Sequence, residues 1–121
     1  MKPQAPTVPD IGDVYWVDPH LAGGREPKNR RRFIVITPPQ INALGVTMMV
    51  AVVSGGQGAR IEGLTVPIQG YDTAGVAVCT QVRSFDLRAV ECDAQYIERL
   101  DSSLMSEIVR KVVSIIDAEP E

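Results

Sequence analysis

The chain has 121 residues, of which 45% are hydrophobic and 22% are charged, and its formal net charge is −3. This length and composition are typical of one globular domain that can bury a core without disulfides or a structural metal. The acidic balance argues against nucleic-acid binding driven by overall charge. No apolar run is long enough for a membrane span or a leader, so a cytoplasmic location is expected.

Runs of β-branched and aromatic residues predict strands along the first three quarters of the chain. Three prolines in residues 1–9 predict a flexible arm over residues 1–10. Pro67 predicts that its strand lies at an edge of the sheet, because proline cannot donate to a ladder. The predicted strands cover residues 12–18, 33–37, 46–53, 64–68, 75–87 (bent) and 87–92, with one helical turn in residues 38–44 and a glycine loop in residues 54–60.

The hydrophobic period changes near the C-terminus. Leu104, Ile108, Val112 and Ile115 recur at three- and four-residue steps, which predicts a helix over 102–117. Either of the two polar residues that precede this run, Asp101 and Ser102, can cap it. Short strands followed by one helix predict a mainly β domain, a small curved sheet or partial barrel. The domain is expected over residues 11–117, with a flexible tail at 118–121.

The same helix carries a second set of apolar residues beside its main stripe: Val109, Val113 and Ile116. This is more apolar surface than one contact with a sheet requires, and surplus apolar surface often marks an interface. We therefore expect a homodimer. A helix seated deeply in its own domain is the alternative.

Cysteine and histidine are too sparse for common catalytic or metal sites. Cys79 and Cys92 each stand without a second ligand at zinc spacing, so buried reduced thiols are expected and no metal or cofactor. A Cys79–Cys92 disulfide is the alternative. His20 is the single histidine, and no nucleophile motif accompanies it.

Positive charge is concentrated in GGREPKNRRRF, residues 23–33, where five of the twelve Lys and Arg fall between 25 and 32. The planar guanidinium group matches a phosphate and stays charged at working pH. A carboxylate such as Glu26 beside it can act as a base while an arginine stabilises charge on a phosphodiester. By itself the segment equally fits a solvated basic loop.

Two further segments can contact an anion. The glycines of SGGQGAR, residues 54–60, can present backbone N–H groups, although the lysine and hydroxyl of a nucleotide-binding loop are missing. The polar side chains of TQVRS, residues 80–84, can line a groove. A flexible hairpin and a strand that emerges into solvent are the simpler interpretations of these two segments.

Taken in order, the blocks GDVYWVD, GREPKNRRRFIVITP, VAVVSGGQGAR and GVAVCTQVRSFDLRA resemble the PemK/MazF family of toxins from toxin–antitoxin modules, most of all its PemK and ChpB branch. The resemblance runs from about residue 11 to 117. It implies a small SH3-like barrel with a C-terminal helix, as in CcdB, and a homodimer. It also implies metal-independent cleavage of single-stranded RNA, in which a ribose 2′-hydroxyl attacks the adjacent phosphate to give a 2′,3′-cyclic phosphate and a 5′-hydroxyl. A cognate antitoxin would block the RNA groove.

The resemblance also implies roles for individual residues. Arg31 falls on the family's arginine, which stabilises a phosphorane-like transition state or acts as an acid, and Glu26 falls on its loop glutamate, a candidate base. Val53 stands where the family usually has a threonine that contacts the scissile phosphate. Ser54 supplies a hydroxyl one residue later, and can replace the threonine if the strand ends or bulges there. The expected RNA contacts are Arg25, Arg30, Gly55, Gln57, Thr80 and Gln81.

Other positions of this groove depart from the family pattern. Thr80 stands for a usual aspartate, Val78 for an arginine of the PemK branch and Arg25 for its loop histidine, which His20 can replace from nearby. Lys28, Arg30 and Arg32 are expected only to steer RNA by charge. These departures motivate a second hypothesis, a non-catalytic module of the same fold that binds RNA, an antitoxin or gyrase. An unrelated small barrel is the third.

Overall fold

A computed structural model describes residues 4–18, 30–54, 63–88 and 94–118, and the structural statements below refer to these. They form six strands and two helices, a mainly β domain with a C-terminal helix as predicted. The elements are β1 (Asp13–Val17), β2 (Arg31–Val35), α1 (Pro39–Asn42), β3 (Thr47–Val53), β4 (Thr65–Ile68), β5 (Gly75–Phe85), β6 (Gln95–Arg99) and α2 (Ser102–Ile116).

The strands form one antiparallel sheet in the order β4-β5-β3-β2-β1-β6. The strand that contains Pro67 lies at an edge, as predicted. β5 is bent, because Val82 pairs with Val50 whereas Val78 pairs with the next residue, Ala51. Three residues of β5 therefore bulge out between these pairs, and such a bulge bends a strand and increases its twist.

The curved sheet buries apolar side chains on both faces. Along β2, Ile34 faces one side whereas Phe33 and Val35 face the other, because successive strand residues alternate. The first side packs beneath α2. On the second side, the rings of Phe33 and Phe85 meet edge to face at 5.1 Å between centroids.

α2 packs one face onto the sheet and leaves another exposed. The Asp101 carboxylate caps it by accepting from the backbone N–H of Leu104 at 2.8 Å, which confirms one of the two predicted caps. The buried residues of α2 are Met105, Ile108 and Val112. Val113 and Ile116 are 54% and 73% exposed, so no described residue covers these two members of the second apolar set, whereas Val109 packs against the core.

The strands differ from the prediction most at the last strand and at the start of β2. The prediction of a strand at residues 87–92 is wrong for its first two residues, because Leu87 and Arg88 form a turn. Residues 89–93 lie outside the described residues. The last strand is β6, in a stretch with too few apolar residues to predict one. β2 begins at Arg31, two residues before the predicted start, because Arg31 and Arg32 pair with the end of β1.

The predicted N-terminal arm is described from residue 4, and its end contacts α1. The side-chain amide of buried Asn42 donates to the backbone carbonyls of Pro9 at 2.7 Å and Thr37 at 2.8 Å.

None of the helices in the described ranges is long and apolar enough to cross a membrane.

Candidate active site

The candidate site lies at the end of the sheet where β2 begins and β3 ends. Arg32 pairs with Val52, and the same register places Arg31 opposite Val53. Ser54 follows directly after the last residue of β3. These elements enclose a cavity of about 210 Å³, which is lined by Trp16, Arg30, Arg31, Arg32, Val52, Val53 and Ser54.

Arg31 and Val53 lie on the same face of the sheet. Cross-strand neighbours on one face have Cβ atoms about 4.5–5.5 Å apart, so the side chain of Arg31 begins beside the side chain of Val53. Arg31 is exposed and Val53 is half-buried. The position opposite the candidate catalytic arginine therefore presents methyl groups where the resemblance predicts a hydroxyl.

Ser54 meets the condition under which it can supply that hydroxyl. β3 ends at Val53, so Ser54 is not bound by the alternation of a continuing strand. Its side chain is exposed and lines the same cavity as Arg31. The structure thus brings together the described members of the predicted catalytic set, whose roles remain predictions.

Gly75 fixes how closely β5 approaches this end of the sheet. It has φ +131°, and a Cβ at this position would clash with the carbonyl oxygen of Val53. A side chain at this position would displace the end of β3 that carries Val53 and Ser54. A glycine here permits both the close approach and the positive φ.

On the opposite face of the sheet end, Arg32 packs against Trp16. The two residues pair between β1 and β2, and the guanidinium carbon of Arg32 lies 4.5 Å from the ring centroid of Trp16. Beside them, Nη1 of Arg30 lies 3.4 Å from Oε1 of Gln95 in β6. The contact between Arg32 and Trp16 was not predicted from the sequence, because it depends on the register between β1 and β2.

Comparison with known proteins shows to which family the chain belongs. The family model for the PemK-like, MazF-like toxins of type II toxin–antitoxin systems matches residues 10–116. The chain belongs to this toxin family. Among curated relatives, endoribonuclease PemK of Escherichia coli is 29% identical over 108 residues, 87% of this chain and 80% of that protein. Endoribonuclease toxin ChpB of Escherichia coli strain K12 is 35% identical over 81 residues, 64% of this chain and 70% of that protein.

Solved structures confirm the fold expected for a PemK/MazF toxin. MazF (Form-I) from Deinococcus radiodurans superposes with a TM-score of 0.74 at 23% identity, and the match covers 92% of this chain and 98% of that one. A mycobacterial endoribonuclease in complex with its cognate antitoxin superposes with a TM-score of 0.71 at 14% identity. The match covers 93% of this chain and 99% of that one.

Two described RNA contacts predicted for this PemK-like toxin, Thr80 and Gln81, do not line this cavity. Thr80 and Gln81 are exposed, but they lie in the bulge of β5, level with the middle of β3 rather than its end. Val78 is buried. Several predicted residues lie outside the described residues: His20, Arg25, Glu26, Lys28, Gly55 and Gln57.

The described cysteine of the toxin offers no nucleophile. Cys79 is a free thiol with 1% of its surface exposed, as predicted. Burial raises its pKa to about 11, so it stays protonated at neutral pH. Cys92 lies outside the described residues.

Proposed function

We propose that this toxin is an endoribonuclease that cleaves single-stranded RNA without a metal ion and so inhibits translation and growth. Its curated relatives PemK, ChpB and MazF are named endoribonucleases. The observation that carries the proposal is the meeting of exposed Arg31 and exposed Ser54 at one cavity, at the ends of two neighbouring strands.

The proposed reaction uses the ribose 2′-hydroxyl of the RNA as the nucleophile. Its oxygen attacks the adjacent phosphorus, the bond to the 5′-oxygen breaks, and a 2′,3′-cyclic phosphate and a 5′-hydroxyl result. Glu26 takes the proton of the 2′-hydroxyl, and the departing oxygen takes a proton from solvent. The phosphoryl oxygens gain negative charge at the transition state, which Arg31 stabilises, since its guanidinium group stays protonated. Ser54 donates to one of these oxygens.

The purified chain is expected to cut single-stranded RNA in excess EDTA. Because the nucleophile belongs to the RNA, the products carry a 2′,3′-cyclic phosphate and a 5′-hydroxyl, and an RNA with 2′-deoxyribose at the cleaved position remains intact. End-group analysis of the fragments identifies the product ends, and the length of the substituted RNA shows whether it remains intact. Absence of cleavage of any long RNA at high enzyme concentration contradicts the proposal.

The partners we propose are single-stranded RNA and a cognate antitoxin. The support for the antitoxin is the family itself and the similarity to an endoribonuclease in complex with its cognate antitoxin. An antitoxin segment that covers the cavity beside Arg31 would exclude the phosphate of RNA, so inhibition is expected to be competitive.

A homodimer that uses α2 is part of the proposal. Val113 and Ile116 are exposed, and the neighbouring groove of about 590 Å³ has apolar walls that include Leu100, Met105 and Val109. Val113→Glu is expected to convert a dimer to a monomer at micromolar concentration, because it puts a charge into an apolar interface. Sedimentation equilibrium gives the mass. Ser114→Glu, which adds the same charge beside this stripe, is the control. A monomeric wild type contradicts this part of the proposal.

Val53→Thr is expected to raise the rate of RNA cleavage about 10- to 100-fold, because a hydroxyl opposite Arg31 adds a donor to the phosphate. Val53 is half-buried, so a threonine of nearly the same shape can keep its hydroxyl solvated in the free protein. Val53→Ala is the matched control for the loss of the valine.

The same experiment tests the non-catalytic alternative, which Val53 motivates. An inert wild type with an active Val53→Thr variant would support a binding module, whereas the named activities of the relatives favour the nuclease. Equal rates for wild type and Val53→Thr would show that a second hydroxyl beside that of Ser54 adds nothing to catalysis, and would contradict the expected rise in rate.

A further inference from the structure

Arg32 is held in a defined position on the face of the sheet opposite to Arg31. Successive residues of β2 alternate, so Arg31 shares a face with Phe33 and Arg32 shares a face with Ile34. The guanidinium group of Arg32 is held against Trp16 at 4.5 Å. A side chain that only steers RNA by charge requires no such contact.

No described residue accepts a hydrogen bond from the Nε–H of Arg32. This nitrogen atom is buried. A buried donor without an acceptor is costly, and such groups are normally paired. Arg32 lines the same cavity as Arg31 and Ser54, so a phosphate that enters this cavity lies beside both arginine residues.

We propose that Arg32, oriented by Trp16, is a second phosphate subsite that binds the RNA phosphate next to the scissile one. The proposal rests on the RNA cleavage proposed above. Arg31 and Arg32 flank the end of the sheet, one on each face, so a single strand that crosses this end places consecutive phosphates against them. The fork of Arg32 binds the flanking phosphate, and contact with the indole ring keeps the fork in place before RNA arrives.

The size of the cavity agrees with a subsite rather than a complete ligand pocket. Its volume of about 210 Å³ is below the roughly 300–1,000 Å³ of typical small-molecule sites. It admits a phosphate with part of its sugar, whereas the bases remain outside. The subsite would therefore fix the position of the strand, and would not by itself select a sequence.

The test is a scan of single-stranded RNA in which one phosphate at a time is replaced by an uncharged methylphosphonate, with 2′-deoxyribose at the cleaved position to prevent cleavage. Trp16 is the single tryptophan of the chain, so its fluorescence reports binding at this site directly. Wild type is expected to lose about tenfold in affinity at the scissile phosphate and at one neighbour, the effect of one charged hydrogen bond.

Two variants and one control separate a subsite from steering. Arg32→Ala is expected to be insensitive to the modification at that neighbour only. Arg32→Lys keeps the charge but loses the fork, so it is expected to bind about three- to tenfold more weakly than wild type. Arg110→Ala removes one exposed positive charge from α2 and is expected to keep the wild-type profile. Thermal unfolding of each variant checks that it is folded.

The outcomes distinguish failure of the subsite from failure of the nuclease proposal. Suppose that wild type cleaves RNA, that Arg32→Lys binds RNA with wild-type affinity, and that Arg32→Ala loses the same factor in affinity for every modified RNA. Arg32 then only steers RNA by charge, and the subsite is overturned. If wild type binds with the expected profile but does not cleave, the subsite stands and the nuclease proposal fails. If wild type neither binds nor cleaves RNA, both fail.

Discussion

Replacing Arg31 with alanine is expected to lower kcat for RNA cleavage by about 10²–10³-fold, the usual effect of removing one preorganised donor from a developing oxyanion. The guanidinium group acts where negative charge increases in the transition state, so KM is expected to change much less than kcat. Single-turnover rates on a defined RNA measure the chemical step.

The structure indicates which controls are informative for Arg31. Its side chain is exposed, so Arg31→Ala is expected to leave stability nearly unchanged, and a loss of rate cannot be attributed to unfolding. Arg31→Lys keeps the charge without the fork and is expected to recover only part of the rate. A rate for Arg31→Ala within about threefold of wild type would contradict the assigned role, since one lost donor should cost far more.

Most strands could be predicted from sequence because their residues are buried on both sides of the sheet. β3 is almost wholly apolar, and β1 and β2 share this composition over most of their length. β6 could not, because its polar side chains have partners elsewhere: Arg99 binds Asp13, and Glu98 accepts from the backbone N–H of Thr73 at 2.6 Å. Such partners depend on tertiary structure, which local composition does not contain.

The candidate site was predictable only in part for a similar reason. The resemblance identified Arg31 and Ser54 one by one, but the register between β2 and β3 determines that they meet and that Val53 lies opposite Arg31. The contact between Arg32 and Trp16 depends in the same way on the register between β1 and β2. A shift of one residue would exchange the faces of both arginines.

Arg99→Met is expected to lower the free energy of unfolding by about 3 kcal/mol, because it leaves the carboxylate of Asp13 buried without its cation. Asp13 has no exposed surface, and its oxygens accept from Nε and Nη2 of Arg99 at 2.7 and 3.3 Å. Breaking a fully buried pair costs about 3–5 kcal/mol, and half of the Arg99 side chain is exposed, so the lower end applies. Urea unfolding measures the difference.

A double-mutant cycle distinguishes this ion pair from simple packing of the arginine. Asp13→Asn keeps the size of the side chain and removes its charge, so Arg99→Met should cost much less in that background than in wild type. Equal costs in both backgrounds would show that the charge on Asp13 is not what Arg99 stabilises. The pair joins the start of β1 to the end of β6, whereas the site lies at the other end of β1, where Val17 pairs with Arg31. Under conditions where Arg99→Met is folded, its rate of RNA cleavage should therefore equal that of wild type.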